Sequence, residues 1–229
     1  MTIFDKFYMT FIQEDRYLYF WDGLKMTLLL TITSFLFGCI IGAVFCGLKR
    51  SKKKSVRVIT DAVADFFIQI PTMVLLMFFV YILFGPSGVS IIIIVIIGLT
   101  IKAGAYLSEI FTTASKTVYS GEIEAARTLG MTKSQAFFKV ELPQAIHAGM
   151  PIFQNQFVST LQETSVVGYL AIVDLTRASS IVTTRTLDAF FGLVMVSVIY
   201  LIVGKIGQTL LGLLDRKKHI GGQNVDSYS

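Results

Sequence analysis

Asn155, Ser159, Gln162 and Glu163 are the residues of this sequence best placed to handle a polar solute. They interrupt an apolar stretch at spacings of four, three and one. On a helix such spacing confines them to about one quarter of the circumference. Against hydrocarbon the stripe is costly, and the Glu163 carboxylate is its worst member, so it must face protein or a water-filled cavity. Two surroundings fit. One is a cavity where Glu163 attracts an ammonium group while Asn155, Ser159 and Gln162 offer neutral hydrogen bonds. The other is a polar interface between helices or subunits. Position 162 is Gln, so no neighbouring lysine balances Glu163, which is then partly protonated, paired with a residue from elsewhere in the fold, or matched by a cationic group on a substrate. Cationic or zwitterionic solutes are then expected over anionic ones.

Other site chemistry is missing from the sequence. Cys39 and Cys46 share one apolar run and would sit about 10 Å apart along a helix, too far for a disulfide. His147 and His219 are isolated, which leaves no Cys/His metal spacing. The one Gly-Lys pair, Gly204-Lys205, is followed by Ile206, so there is no phosphate-binding loop. Neither a His-Glu-x-x-His motif nor a Gly-x-Ser-x-Gly elbow occurs, and an enzyme reading finds no support.

The elements that must position the stripe follow from composition. Hydrophobic residues make up 54% of the chain and charged ones 15%, with a mean hydropathy of +0.69. That is too little charge to cover a soluble surface, so the solvent is a bilayer. Five stretches reach the roughly 20 residues a spanning helix needs: about 24–48, 58–84, 89–107, 145–167 and 189–214. Helices are required, since an open strand in lipid leaves its backbone unpaired.

Lys49, Arg50, Lys52, Lys53, Lys54 and Arg57 follow the first stretch without an acidic residue among them, which predicts a cytoplasmic loop. The N-terminus and the turn Gly85-Pro86-Ser87-Gly88 then lie outside, and the tail with Arg216, Lys217 and Lys218 inside. Residues 1–22 lack a signal-peptide pattern and read as an amphipathic segment at the outer interface. Residues 23–215 form the membrane domain, with a long loop at 108–143, and 216–229 form a polar tail whose last residues are expected to fray.

The loop has structure of its own. Gly121 to Gly130 reads as a short helix with acidic residues in its first turn and a left-handed glycine stop. Thr132-Lys133-Ser134-Gln135 matches a capping box, starting a second helix that Leu142-Pro143 should end. Ala125, Ala126 and Leu129 are then available for close approach by another surface, or for packing beneath the chain's own bundle. Elsewhere, Pro71 predicts a kink that frees the carbonyl of Phe67. Gly38 and Gly42 suit close helix contact. Asp61, Asp65 and Gln69 step by four toward ion pairs with residues 52–57. Arg177 and Arg185 fall in an external loop.

Glu124-Ala125-Ala126, then Gly130, then Leu142-Pro143 resembles the EAA loop of bacterial ABC importer permeases. The likeness extends from Gly23 to about Leu214. Ala105-Tyr106-Leu107-Ser108-Glu109-Ile110, Gly121, Leu142-Pro143-Gln144-Ala145, Pro151, Asn155 and Thr164-Ser165 resemble the polar amino-acid branch in particular.

The resemblance implies an all-α membrane protein of the type I ABC importer permease fold, with five transmembrane helices, N-terminus outside and C-terminus inside. Gly121, Glu124, Ala125, Ala126, Leu129, Gly130, Leu142 and Pro143 would couple it to an ATPase. Asn155, Ser159, Gln162, Glu163 and Thr164 would meet substrate. It implies no cofactor in this chain, with ATP and Mg bound by the ATPase. Implied partners are ABC ATPase subunits, a second permease subunit, identical or related, and an extracytoplasmic solute-binding protein, all at a bacterial cell membrane.

The chain departs from that branch in three places. Ile68-Gln69-Ile70-Pro71 stands for Arg-Gly-Thr-Pro, Gln162-Glu163 for Lys before an acid, and Gly121-Glu122 for Gly-Gln. The first two fall where substrate contacts or dimer packing are expected. Alternatives are a permease for another small solute, such as an organic cation, and an ATP-independent secondary transporter. The latter would show an inverted repeat and coupling-ion residues and would need no docking loop.

Overall fold

A computed structural model describes residues 3–219, and every regular element among them is helical. The expected frayed tail beyond residue 219 lies outside the described residues, as do the side chains of Arg216, Lys217, Lys218 and His219. A short helix α1 (Ile3–Phe11) precedes the long α2 (Tyr17–Lys49). Then come α3 (Lys54–Gln69) and α4 (Thr72–Met77), the latter continued by a π turn over Phe78–Leu83. After α5 (Ile91–Thr117), two short helices follow, α6 (Ser120–Thr128) and α7 (Lys133–Ala136). Helix α8 (Leu142–Glu163) leads through a 3-10 turn to α9 (Leu175–Thr186) and α10 (Ala189–His219).

The stretches Gln13–Lys49, Ile91–Thr117 and Ala189–Leu213 are each long and apolar enough to cross a membrane. Counting each of two bent pairs, α3 with α4 and α8 with α9, as one crossing raises the number to five. Leu36, Phe37 and Ile40 on α2, and Leu201, Ile202 and Ile206 on α10, are exposed. Contiguous apolar surface of this kind calls for lipid or a partner subunit.

Helices α2 and α5 form the spine. Gly38 and Gly42 face Ala103, Gly104 and Leu107, and a Cβ on Gly42 would stand 2.7 Å from that of Leu107. The expected close contact is present, and α5 is its partner. A core of Leu30, Leu76, Val95, Leu99 and Val167 joins α2, α4, α5 and the 3-10 turn. A second cluster seats Phe11 on Phe20, with Leu175, Val182 and Val196 around them. Near the start, the guanidinium of the buried Arg16 donates to the Met9 carbonyl at 2.5 Å, and α2 begins at once after it. The first long helix thus starts earlier than Leu24, within the segment expected to lie at the interface.

Several expectations change. Pro71 breaks its helix outright: α3 and α4 meet at 103°, because proline lacks the N–H and forces Ile70 into an extended conformation (φ −71, ψ 130). Helix α5 runs on to Thr117, so the loop expected from Ser108 begins ten residues later. Leu142-Pro143 does not end a helix. Phe137–Glu141 form a π turn, and Pro143 falls just after it, where the hydrogen-bond ladder is already out of register. The segment expected to be a loop around Arg177 and Arg185 is helical instead, over Leu175–Thr186. Asp174 caps it, accepting from the backbone N–H groups of Thr176 and Arg177 at 3.1 and 3.0 Å. Asp61 pairs with Lys49 at 3.3 Å rather than with residues 52–57, and Lys49, buried rather than solvated, also binds Glu109.

Candidate functional site

Two parts of the molecule gather the chemistry anticipated from the sequence, one at each end of α8. At the α7 end the chain turns sharply. Gly130 takes φ +90, which closes α6 with a left-handed stop and lets the Met131 N–H reach the Ala126 carbonyl at 3.2 Å. Thr132 then opens α7 with a complete capping box. Its N–H donates to Gln135 Oε1 at 2.8 Å, and its hydroxyl accepts from the Gln135 N–H at 3.3 Å.

The corner so formed presents Glu124, Ala125 and Leu129, the last 84% exposed. Ala126 does not join them. It is buried, as is Ala136, so the two expected close-approach alanines point opposite ways. Behind the corner, Ala114, Val118 and Ala145 pack with Ile123. Gly121 lies against the Tyr119 ring, and the Gln144 side chain donates to Glu122. Leu142 and Pro143 are half-buried within the continuous helix.

The corner is tied to the end of α2 by a charged clamp. Arg50 Nη1 donates to the buried Glu141 carboxylate at 2.5 Å, and its guanidinium lies 5.5 Å from the centre of the Phe137 ring. The hydrogen bond from Arg50 to Glu141 holds the guanidinium above its usual range.

At the other end of α8 the predicted stripe divides. Asn155, Ser159 and Gln162 are exposed, and Gln208 Nε2 of α10 donates to Asn155 Oδ1 at 3.2 Å. Glu163 turns inward toward α4 and α5. Thr72 lies beside its carboxyl group, and the Lys102 ammonium supplies an opposite charge. One carboxylate oxygen, Oε2, is buried without a hydrogen-bond partner. Thr164 is fully buried, and its hydroxyl donates to the Leu161 carbonyl at 2.7 Å. As this chain stands, that hydroxyl is not offered to a solute.

Lys102 is the residue that sequence reasoning missed. It is 3% exposed and lies in an apolar run, where a lysine is itself a signal of function or of a partner. Its ammonium donates to the Ile70 carbonyl, one of the groups left without a helical donor by the break at Pro71. One turn on, the Tyr106 hydroxyl donates to the Ile68 carbonyl at 3.4 Å. The carbonyls served from α5 at the break are thus those of Ile68 and Ile70. Among the described residues no cluster of His, Cys, Asp and Glu could hold a metal ion.

The chain is 29% identical to the L-cystine transport system permease protein TcyB of Bacillus subtilis (strain 168), over 90% of its own length and 86% of that protein's. It is 27% identical to the histidine/lysine/arginine/ornithine transport system permease protein HisQ of Escherichia coli (strain K12), covering 90% and 95% of the two chains. A crystal structure of an amino acid ABC transporter with histidines superposes with a TM-score of 0.77 at 29% identity, over 87% of this chain and 94% of that one. Residues 34–220 match the family model for the inner membrane component of binding-protein-dependent transport systems. With most of its length inside that match, and with both ends of α8 built as described, the chain belongs to that family and is a multi-pass membrane component of such a transporter.

Proposed function

We propose that this chain is the membrane-spanning subunit of an ATP-driven importer for a polar amino acid. Two permease subunits, identical or related, would sit over two ABC ATPases and receive substrate from an extracytoplasmic binding protein. The observation that carries the reading is the corner at Gly130: exposed at Glu124, Ala125 and Leu129, braced from behind by the Arg50–Glu141 clamp. Such a corner suits docking into a groove on an ATPase, and the clamp passes movement of α6 to α2. ATP and Mg belong to that partner.

In this proposal the chain crosses the membrane five times, with the bent pairs α3–α4 and α8–α9 each counting once, the N-terminus outside and the C-terminus inside. Residues 1–22 lie at the outer face, 23–215 form the permease domain with its coupling loop within 108–143, and 216–229 form the tail. Gly121, Gly130, Leu142 and Pro143 shape the corner, and Ala126 anchors it from within.

Asn155, Ser159 and Gln162 line the pathway where the two permease subunits meet. Glu163, balanced by Lys102, holds the end of that wall beside the break at Pro71, with Thr164 behind it. Because Lys102 supplies a counter-charge, Glu163 does not by itself select cationic substrates, and a zwitterionic amino acid fits the site. The relatives' transport of L-cystine and of histidine, lysine, arginine and ornithine supports an amino acid as cargo.

The test is uptake of individual amino acids into proteoliposomes holding the copurified ATPase and cognate binding protein. Uptake that needs ATP and the binding protein is expected. Uptake by the purified chain without ATP would instead establish a secondary transporter.

A further inference from the structure

Beneath the docking corner, α2, α5 and the start of α8 enclose a cavity of about 760 Å³ that none of the functions above uses. Its walls are apolar, built from Ala43, Gly47, Phe111, Met150 and Phe153, with Arg50 and Lys133 at one end. Ala43 and Gly47 are exposed, so the cavity opens sideways. A Cβ on Gly47 would meet nothing within 4 Å.

From Cys39, another lining residue, to Arg50 the groove follows eleven residues of α2. That is about 16 Å, or half of a hydrocarbon core of ~30 Å. We infer that this groove binds one anionic phospholipid of the cytoplasmic leaflet, an acyl chain along α2 and the phosphate between Arg50 and Lys133. The inference rests on the orientation proposed above, which puts that basic mouth at the cytoplasmic surface.

Charge complementarity selects the occupant. Arg50 uses Nη1 on Glu141 and Ser115, and a guanidinium has further donors to offer. No carboxylate among the described residues pairs with Lys133. Lys52, Lys53, Lys54 and Arg57 follow Arg50 without an acidic residue between them. A basic mouth on an apolar slot one leaflet deep matches an anionic headgroup on its acyl chain, as basic pockets between transmembrane helices do generally. A buried helix of a partner protein would instead leave Lys133 unpaired against it.

The experiment uses the intact complex with its ATPase, in nanodiscs of phosphatidylcholine with or without phosphatidylglycerol, and native mass spectrometry to count retained lipid. Wild type should retain phosphatidylglycerol in preference to phosphatidylcholine. Lys133→Glu should reduce that retention about fivefold or more, at about a factor of five per basic contact, and Lys133→Arg should preserve it. Gly47→Leu fills the slot without a clash and should reduce retention of either lipid.

Equal retention by wild type, Lys133→Glu and Gly47→Leu would overturn the site. So would capture of a second permease chain or the ATPase, rather than lipid, by a photo-reactive side chain placed at position 47. Failure of ATP-dependent amino-acid uptake would remove the proposed function while leaving the lipid count intact.

Discussion

The two carboxylates that bracket α8 are held in opposite ways. Glu141, just before the helix, is buried and held by Arg50 through one oxygen at 2.5 Å. Glu163, at its end, has Thr72 and Lys102 for company but keeps one buried oxygen without a hydrogen bond. The 22 residues of α8, ending at Glu163, span about 33 Å, near the thickness of a hydrocarbon core. A satisfied buried pair works as a clamp, while an unsatisfied one keeps capacity for another group. In the proposed function, one end of α8 would transmit force to the docking corner, and the other would meet a polar solute or a facing subunit.

The sharpest way to break this contrast is Arg50→Ala. It strands the Glu141 carboxylate and should lower stability by about 2 kcal/mol, less than a fully buried pair would cost because the Arg50 side chain is 44% exposed, read as a drop in the thermal midpoint of the purified complex. The double variant Arg50→Ala with Glu141→Gln should recover most of the loss. Equal stability of the single variant and wild type would show that the clamp does not hold the corner.

Lys102→Met comes next. It removes the donor to the Ile70 carbonyl and the counter-charge of Glu163, at an expected cost of about 2 kcal/mol. Adding Glu163→Gln should restore part of it. Additive losses in that double variant would mean that Lys102 and Glu163 act independently.

Glu163→Gln alone leaves the buried Lys102 ammonium without its opposite charge but with the Ile70 carbonyl still accepting from it, so it should cost about 1 kcal/mol and slow amino-acid uptake. Unchanged uptake would make Glu163 a purely structural residue.

How far each end was legible follows from where its determinants lie. The docking corner is built from neighbours in sequence, with Gly130 supplying the left-handed stop and Thr132 and Gln135 capping each other. Local chemistry therefore announced its shape. The inward turn of Ala126 escaped because it depends on how α6 packs against α7 and the π turn that follows it.

The Glu163 end is assembled from α4, α5 and α8, and its key partner Lys102 is 61 positions away in sequence. Only the break at Pro71 brings the Ile70 carbonyl and Lys102 together. A proline signals that a helix is disturbed, but not whether it bends slightly or turns through 103°. Asp174 carried a cap signal that was equally local, yet the expectation of an external loop hid the helix behind it. The continuous run from α7 into α8 was masked by Pro143, whose missing donor a π turn absorbs.

The central claim is that the exposed corner at Gly130 docks an ATPase. Its most direct test is affinity purification of the native complex with wild-type chain and with Leu129→Asp or Glu124→Lys. Both variants change exposed side chains, so membrane insertion and thermal midpoint should stay at wild-type values. Wild type should bring down an ABC ATPase in stoichiometric amount, and the variants should lose it or lose ATP-coupled uptake. An ATPase recovered equally with all three chains, with uptake unchanged, would contradict the account.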